Sequence, residues 1–473
     1  MEILRKSYIY ALYCAIIAWC SRQFRNSLAV KWFTGQPVGQ NTSAITAPVF
    51  DTLRTIYASV FEKLKLGRLL RGSIFLHPLL FAAAAMILAP LVPTMVVLAL
   101  VGGCFFSLLL KMGVDRDTRL TPSPLNGYIV LYALIYFYST LTSTSFAGSL
   151  FPGLLTIAFV LFFFCVTSSE LDNRRLEQLM WVLMAVGAVI SLYGFYQFLF
   201  PERFVNVWTD TDMFSTIAFR VYSTLENPNV LGEYFLLVIP LGCAMVLTAD
   251  SRSKLLLSLM GVGLMGICLI LTYSRGCYLG LLFAAAVFLV LLDARFIFLG
   301  VIAVALCPLY LPESVLTRFT SIGDMSDSST SYRVYIWMGT LAMLKNYWFC
   351  GLGPGTEAYN IVYPEYAYNA ITAPHSHNLF LQITCDTGIC GIAVFIILIV
   401  AFYRMMFTAI AKETDQSARI FQIAGTSAIT GFLVQSMTDY TFYNYRVMLL
   451  FFCMLGLCVV FSRMGTPKKE AAQ

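Results

Sequence analysis

Pro374-His375-Ser376-His377-Asn378 runs straight into LFLQITCDTGICGIAVFIILIVAFY, residues 379–403. The second segment is apolar over 25 residues, interrupted by a single acid, Asp386. A helix of about 20 apolar residues crosses the hydrocarbon core of a bilayer. The first segment carries two of the three histidines in the chain. Imidazole titrates near neutral pH, so it can take or give a proton under working conditions. This junction therefore predicts a membrane helix with proton-transfer groups at its mouth.

The rest of the chain agrees with a membrane setting. Its 473 residues are 59% hydrophobic and 12% charged, and the mean hydropathy is +0.77. A soluble domain carries roughly 25% charged residues. The pattern predicts an all-α polytopic membrane protein. Twelve spans are expected, at Ile74–Leu91, Val92–Leu110, Leu125–Ser143, Leu150–Thr167, Gln178–Phe200, Val230–Thr248, Leu255–Tyr273, Gly276–Leu292, Phe296–Leu311, Leu379–Tyr403, Ile420–Thr438 and Val447–Ser462. Prolines 90 and 93 divide the first pair.

Basic residues set the orientation. With the N-terminus inside, 24 of the 31 Lys and Arg fall on the inner side. The seven outside are Arg203, Arg220, Arg275, Arg318, Arg333, Lys345 and Arg446. This bias predicts both termini in the cytoplasm and a large outer loop, residues 312–378, between spans nine and ten. It also accounts for the net charge of +6 without a nucleic-acid partner. Residues 1–73 read as a basic inner-surface region, with Ser7–Cys20 interfacial and Thr52–Arg71 an amphipathic helix on the membrane. Residues 74–462 form the membrane domain and 463–473 a cytoplasmic tail. Arginines flank Ser7–Cys20 and no small-residue cleavage site follows, so a cleavable signal peptide is not expected. Of 13 cysteines, only Cys350 falls in a polar loop, which suggests neither a disulfide framework nor a metal site.

Across the predicted spans the only ionisable acids are Glu233 and Asp386, and there is no Lys or Arg. Both acids lie in the outer third of their spans. Ion-coupled transport usually relies on charged groups near the bilayer midplane. A polysaccharide or small-molecule transporter is therefore the alternative, and chemistry at the outer face is the first reading. Within the loop, Ser328-Ser329-Thr330-Ser331 forms an N-cap cluster before an amphipathic helix over Tyr332–Asn346. Gly351, Gly353 and Gly355 end that helix in a turn.

Several outer residues can be read in two ways. Arg275, in Thr272-Tyr273-Ser274-Arg275-Gly276, either snorkels to the surface or binds an anion at a helix N-terminus. Arg333 and Arg220 are either solvated charges or further phosphate ligands, since guanidinium pairs well with phosphate. Of His375 and His377, one could act as a base while the other orients it. Two histidines at this spacing with no clustered ligands do not define a metal site. His77 reads as structural.

The ordered motifs resemble the bacterial O-antigen ligase and O-antigen polymerase family. They are Arg220 with Asn227-Pro228-Asn229, Ser274-Arg275-Gly276, and Arg333 ahead of Trp337. Gly351-x-Gly353-x-Gly355, His377-Asn378-x-x-x-Gln382 and Asp386-x-Gly388-x-x-Gly391 follow. The resemblance covers residues 125 to 462 and leaves residues 1–73 unexplained.

It implies a metal-independent, inverting membrane glycosyltransferase without a cofactor, acting in cell-surface polysaccharide assembly at the outer face of the cytoplasmic (inner) membrane. The implied donor is a glycan on undecaprenyl diphosphate, and the acceptor is a glycan or glycolipid hydroxyl among membrane lipids. By the family's pattern Arg275 and Arg333 hold the diphosphate, with Arg220 as a further candidate. His377 activates the acceptor, with His375 beside it, and Asn378, Asp386 and Glu233 support the site. Asp386 stands where the family more often has glutamate. A peptidoglycan polymerase, which would draw on outer-loop acids such as Asp324, Asp327, Glu357 or Glu365, fits the histidine motif less well.

Overall fold

The computed structural model describes residues 15, 40–64, 70, 72–115, 118–169, 171–205, 207–208, 219–306, 309, 313–320, 323–325 and 327–464. Among them there is helix and no strand. The helix expected within Ser7–Cys20 lies outside this set, apart from Ala15.

A helix occupies each of the twelve expected stretches. They are α2 (Pro78–Leu88), α3 (Thr94–Val114), α4 (Asn126–Leu141), α5 (Phe146–Thr167), α6 (Asn173–Leu199), α7 (Pro228–Leu247), α8 (Arg252–Leu271), α9 (Arg275–Leu292), α10 (Phe296–Leu306), α14 (Leu379–Lys412), α15 (Gln416–Ser436) and α16 (Tyr445–Phe461). Seven of them are long and apolar enough to cross a membrane: α3, α5, α6, α7, α8, α9 and α14. α2 and α16 are shorter apolar helices. Many starts are written in the local sequence. Ser145, Asp172, Ser251, Asn378 and Asp415 each cap a helix by accepting a hydrogen bond from the backbone N–H three residues on.

Near the N-terminus, α1 (Gln40–Lys63) begins before the expected Thr52 and stops before Arg71. Its Phe61 is buried and would meet any side chain placed at Gly113 of α3. The helix therefore packs on the bundle as well as presenting a polar face.

α7 is the most enclosed of the long helices. It packs against α8 and α15, and α15 packs in turn against α9. The α9–α15 crossing is close because glycines face each other. A Cβ on Gly280 would lie 2.6 Å from the Gly431 carbonyl oxygen, and one on Gly431 would lie 2.7 Å from that of Gly280. Small residues at such crossings let helix backbones touch. Here the contact draws the N-terminus of α9 toward the C-terminus of α15.

α14 is 34 residues long but is broken at Gly388, where φ is +66° and ψ is −163°. This conformation is open essentially only to glycine. Residues 348–353 patch the break. The Leu352 and Gly353 N–H groups donate to the carbonyls of Cys385 and Asp386, and Ile389 N–H donates to Trp348. Ser139 donates its hydroxyl to the Asp386 carbonyl as well. Irregular backbone at membrane depth survives only where protein satisfies it in this way. The three glycines of Gly351-x-Gly353-x-Gly355 all have positive φ, at 72°, 104° and 102°. Their part in the fold is this close approach and turn.

Beyond the break, α14 continues past the expected end at Tyr403 and takes Arg404 into its buried face. Residues 404–412 continue the helix without a breaker beyond the expected end of the span.

The connection from α10 to α14 contains α11 (Glu313–Thr320), α12 (Ser328–Tyr347) and α13 (Thr356–Val362). α12 starts earlier than expected. Asp327, rather than the serine cluster, is its N-cap, and it accepts from Thr330 N–H. Ile336, Met343 and Leu344 of α12 form a separate small core with Tyr359 and Tyr363.

Candidate active site

The break in α14 leaves its first segment, Leu379–Thr387, as a short platform under the histidine loop. Asn378 caps that platform. Its Oδ1 accepts from Leu381 N–H at 3.0 Å and its Nδ2 donates to the Met437 carbonyl at 2.7 Å. Gln382 reaches up from the platform and accepts the Ser376 N–H at 2.8 Å. Asp386 does not meet the histidines. It accepts from Gln382 Nε2 at 2.9 Å and from the Tyr136 hydroxyl at 3.3 Å. Its effect on the loop runs through Gln382.

The two histidines differ sharply. His375 is buried against Tyr443 and Tyr440, with ring centroids at 4.6 and 5.4 Å. Burial, together with the nearby His377 and Arg333, pushes its pKa down to about 3 against the pull of Asp439. It is a neutral ring whose Nδ1 accepts the His377 N–H at 3.2 Å. His377 has φ of +48°, an uncommon conformation for a residue with a side chain. Three bonds hold it there: the N–H to His375, the carbonyl accepting Trp337 Nε1 at 3.3 Å, and the ring Nδ1 against Asp439 Oδ1 at 3.3 Å. Strained residues of this kind cluster at functional sites. The His377 side chain is also the more exposed of the pair.

Asp439 was not singled out from the sequence. It sits in the turn between α15 and α16 and collects three of the expected residues or their partners. Its Oδ1 faces His377, its Oδ2 accepts from Asn229 Nδ2 at 2.7 Å, and Arg333 Nη2 lies 4.0 Å from Oδ2. Burial alone would raise its pKa. The hydrogen bond and charge of His377, with Arg333 and His375, instead hold it well below the usual carboxylate range. An ionised carboxylate only accepts hydrogen bonds, so His377 Nδ1 is the donor. When the ring gives up its second proton, that leaves the lone pair on His377 Nε2. The only signal for Asp439 in the sequence was one acid in a tyrosine-rich turn, Asp439-Tyr440-Thr441-Phe442-Tyr443-Asn444-Tyr445.

The three expected arginines come together. Arg220, Arg275 and Arg333 line one small open cleft with Asn229, Ser274, Gly276, Ser329, Gln435 and Thr438. Arg220 donates to the Thr272 and Trp208 carbonyls and to Asn229 Oδ1. Asn229 thus bridges Arg220 to Asp439. Arg275, the first residue of α9, forms a buried 2.7 Å ion pair with Asp327. Burial works against the charge on Asp327, but Arg275 and the Thr330 N–H hold its pKa below normal. This acid too was missed as a site residue, since in the sequence it reads as one loop acid among several. Glu233 lies one turn below Asn229 on α7 and is buried against Gln435 of α15.

Residues 260–396 match the family profile described as O-antigen ligase. This stretch is similar to the O-antigen ligase family. The match agrees with the family resemblance of the motifs and runs from α8 into α14, so it includes Arg275, Arg333, His375, His377, Asn378 and Asp386. Arg220, Asn229, Glu233 and Asp439 join the candidate site from outside the matched residues. No curated protein matches the chain.

Proposed function

We propose that this membrane enzyme transfers a glycan from a polyprenyl diphosphate, undecaprenyl diphosphate in the family's pattern, to a hydroxyl of a glycan or glycolipid acceptor. The observation that carries the reading is the adjacency of the His377–Asp439 pair to the three-arginine cleft through Arg333 and Asn229.

In this reading the acceptor hydroxyl attacks the anomeric carbon as His377 Nε2 takes its proton. The anomeric C–O bond breaks with inversion, and the electron pair leaves on the diphosphate. Asp439 holds the imidazole in the tautomer with Nε2 free and stabilises the imidazolium that forms. General-base help of this type is worth roughly 10²–10⁴-fold. Negative charge grows on the leaving diphosphate, where preoriented guanidinium groups stabilise the transition state more than the ground state. The arginines fill the role that a divalent metal has in other sugar transferases. The lysine and arginine bias of the sequence supports a site on the outer face of the cytoplasmic membrane with both termini inside.

The test is deletion of the chain and complementation with His377→Ala or Arg333→Ala, followed by analysis of envelope glycans and lipid-linked intermediates. Accumulated lipid-linked glycan, with each variant still in the membrane, is the expected result. Normal glycan product from both variants would sink the assignment.

A further inference from the structure

At the back of the arginine cleft two buried oxygens have no hydrogen-bond partner: Glu233 Oε2 and Gln435 Oε1. Both side chains are almost wholly enclosed, at 2% and 1% exposure. Their one mutual bond is long, with Gln435 Nε2 donating to Glu233 Oε1 at 3.3 Å. Buried polar atoms are nearly always satisfied, so an orphaned oxygen on each of two bonded side chains calls for an explanation. Gln435 itself lines the cleft, among Arg220, Arg275 and Arg333.

An acceptor oxygen is the wrong group to show an anion. Turning the Gln435 amide over corrects this within the same volume. The NH₂ group then faces the cleft as a donor, and Oε1 faces Glu233. Glu233 in its carboxylic acid form donates O–H to that oxygen. This arrangement gives the orphaned Gln435 oxygen a donor on the Glu233 atom it already faces.

Gly276 supports the same idea independently. A Cβ at that position would collide with Gln435 Oε1 and come within 2.7 Å of Thr438 Oγ1. The glycine after Arg275 therefore keeps open the space in which the amide sits. Any side chain there would push the amide off the cleft wall.

We propose that Gln435, set by its contact with Glu233, is a further ligand for the diphosphate, donating an N–H to a phosphate oxygen beside the arginines. The inference rests on the reading of the cleft as the diphosphate site. It separates the two buried residues by role: Gln435 touches the ligand, and Glu233 positions it.

The experiment titrates inorganic pyrophosphate into the purified protein in lipid nanodiscs at pH 7, by calorimetry, with thermal unfolding of each variant alongside. Gln435→Met should bind about ten-fold more weakly or worse, since a hydrogen bond to a charged group is lost. Glu233→Gln keeps a neutral donor toward Gln435 and should bind within about three-fold of wild type. The exchanged pair, Glu233→Gln with Gln435→Glu, keeps the contact between α7 and α15 and should melt like wild type. It places a carboxyl at the cleft and should lose pyrophosphate binding. A merely structural pair would tolerate that exchange.

Binding by the exchanged pair within two-fold of wild type overturns the proposal. So does loss of binding in Glu233→Gln, which would mean the acid acts ionised. Either result, alongside lost binding in Arg333→Ala, leaves the diphosphate reading of the cleft standing. No binding by the wild-type protein overturns both together.

Discussion

Asp439 Oδ1 lies 3.3 Å from His377 Nδ1 across 62 residues of sequence, and the same carboxylate holds Asn229 through its other oxygen. The acid fixes which imidazole nitrogen keeps its proton. Asp439→Asn presents an amide that can donate to Nδ1 and favours the opposite tautomer. Transfer to the acceptor should fall by about 10² or more, in line with loss of general-base help. Quantifying glycan product against protein in the membrane checks this, and unchanged product would remove Asp439 from the mechanism.

Arg275 and Asp327 form a buried ion pair, with side-chain exposures of 9% and 0%. Removing one partner strands the other charge, which typically costs about 3–5 kcal/mol. Arg275→Ala and Asp327→Ala should each lower the melting temperature strongly. The double variant should be less destabilised than the two single effects combined. A double-mutant cycle on thermal unfolding reads this directly, and strict additivity would show that the pair is not coupled.

His375 gives a pH dependence whose sign can be worked out. Its folded pKa is pushed down to about 3 from 6.5, so between those values the unfolded chain binds the extra proton. Its contribution to stability is intact above pH 6.5 and is lost progressively as pH falls toward 3. At pH 5 the loss is about 2 kcal/mol. Asp439 adds to the acid side only below its ordinary value of 3.8, outside this window. Melting temperatures at pH 7 and pH 5 should therefore converge in His375→Phe, from a lower baseline at pH 7. An equal slope in wild type and variant would show that His375 is not the group responsible.

Gly388→Ala tests the helix break. The backbone there has φ +66°, and a Cβ would collide with the carbonyl of Phe349. Backbone strain of this type costs about 1–3 kcal/mol before the collision is added. The variant should show poor membrane yield and a lower melting temperature. Gly391→Ala, three residues on, meets the side chain of Thr387 rather than the patch backbone and should be milder. Equal behaviour of the two would argue that the break is incidental.

The helices were legible because lipid-facing surface must be apolar and caps are local. Asp172, Ser251, Asn378 and Asp415 declare their helices within three residues. The arginines were legible as candidates because basic residues are scarce on one side of the expected topology. Their convergence was not, since it depends on facing glycines such as Gly280 and Gly431, whose contact no local pattern encodes. Asp439 and Asp327 stayed hidden for a related reason. Each is an unremarked acid in a polar turn until the fold brings a histidine or an arginine to it. Asp386 was legible as a supporting residue, but its bonds to Gln382 and Tyr136, which depend on the break in α14, were not.

The patch over the α14 break also bears on how the chain is made. Residues 348–353, which supply its hydrogen bonds, leave the ribosome before residues 385–389, which need them. A chain emerging N-terminus first therefore has its repair strip ready when the interrupted helix arrives. Swapping the order of these two segments by circular permutation would keep every contact in the finished fold. It would also leave Cys385 and Asp386 with open carbonyls during insertion, so the arrangement is one that synthesis direction, as well as final energy, can favour.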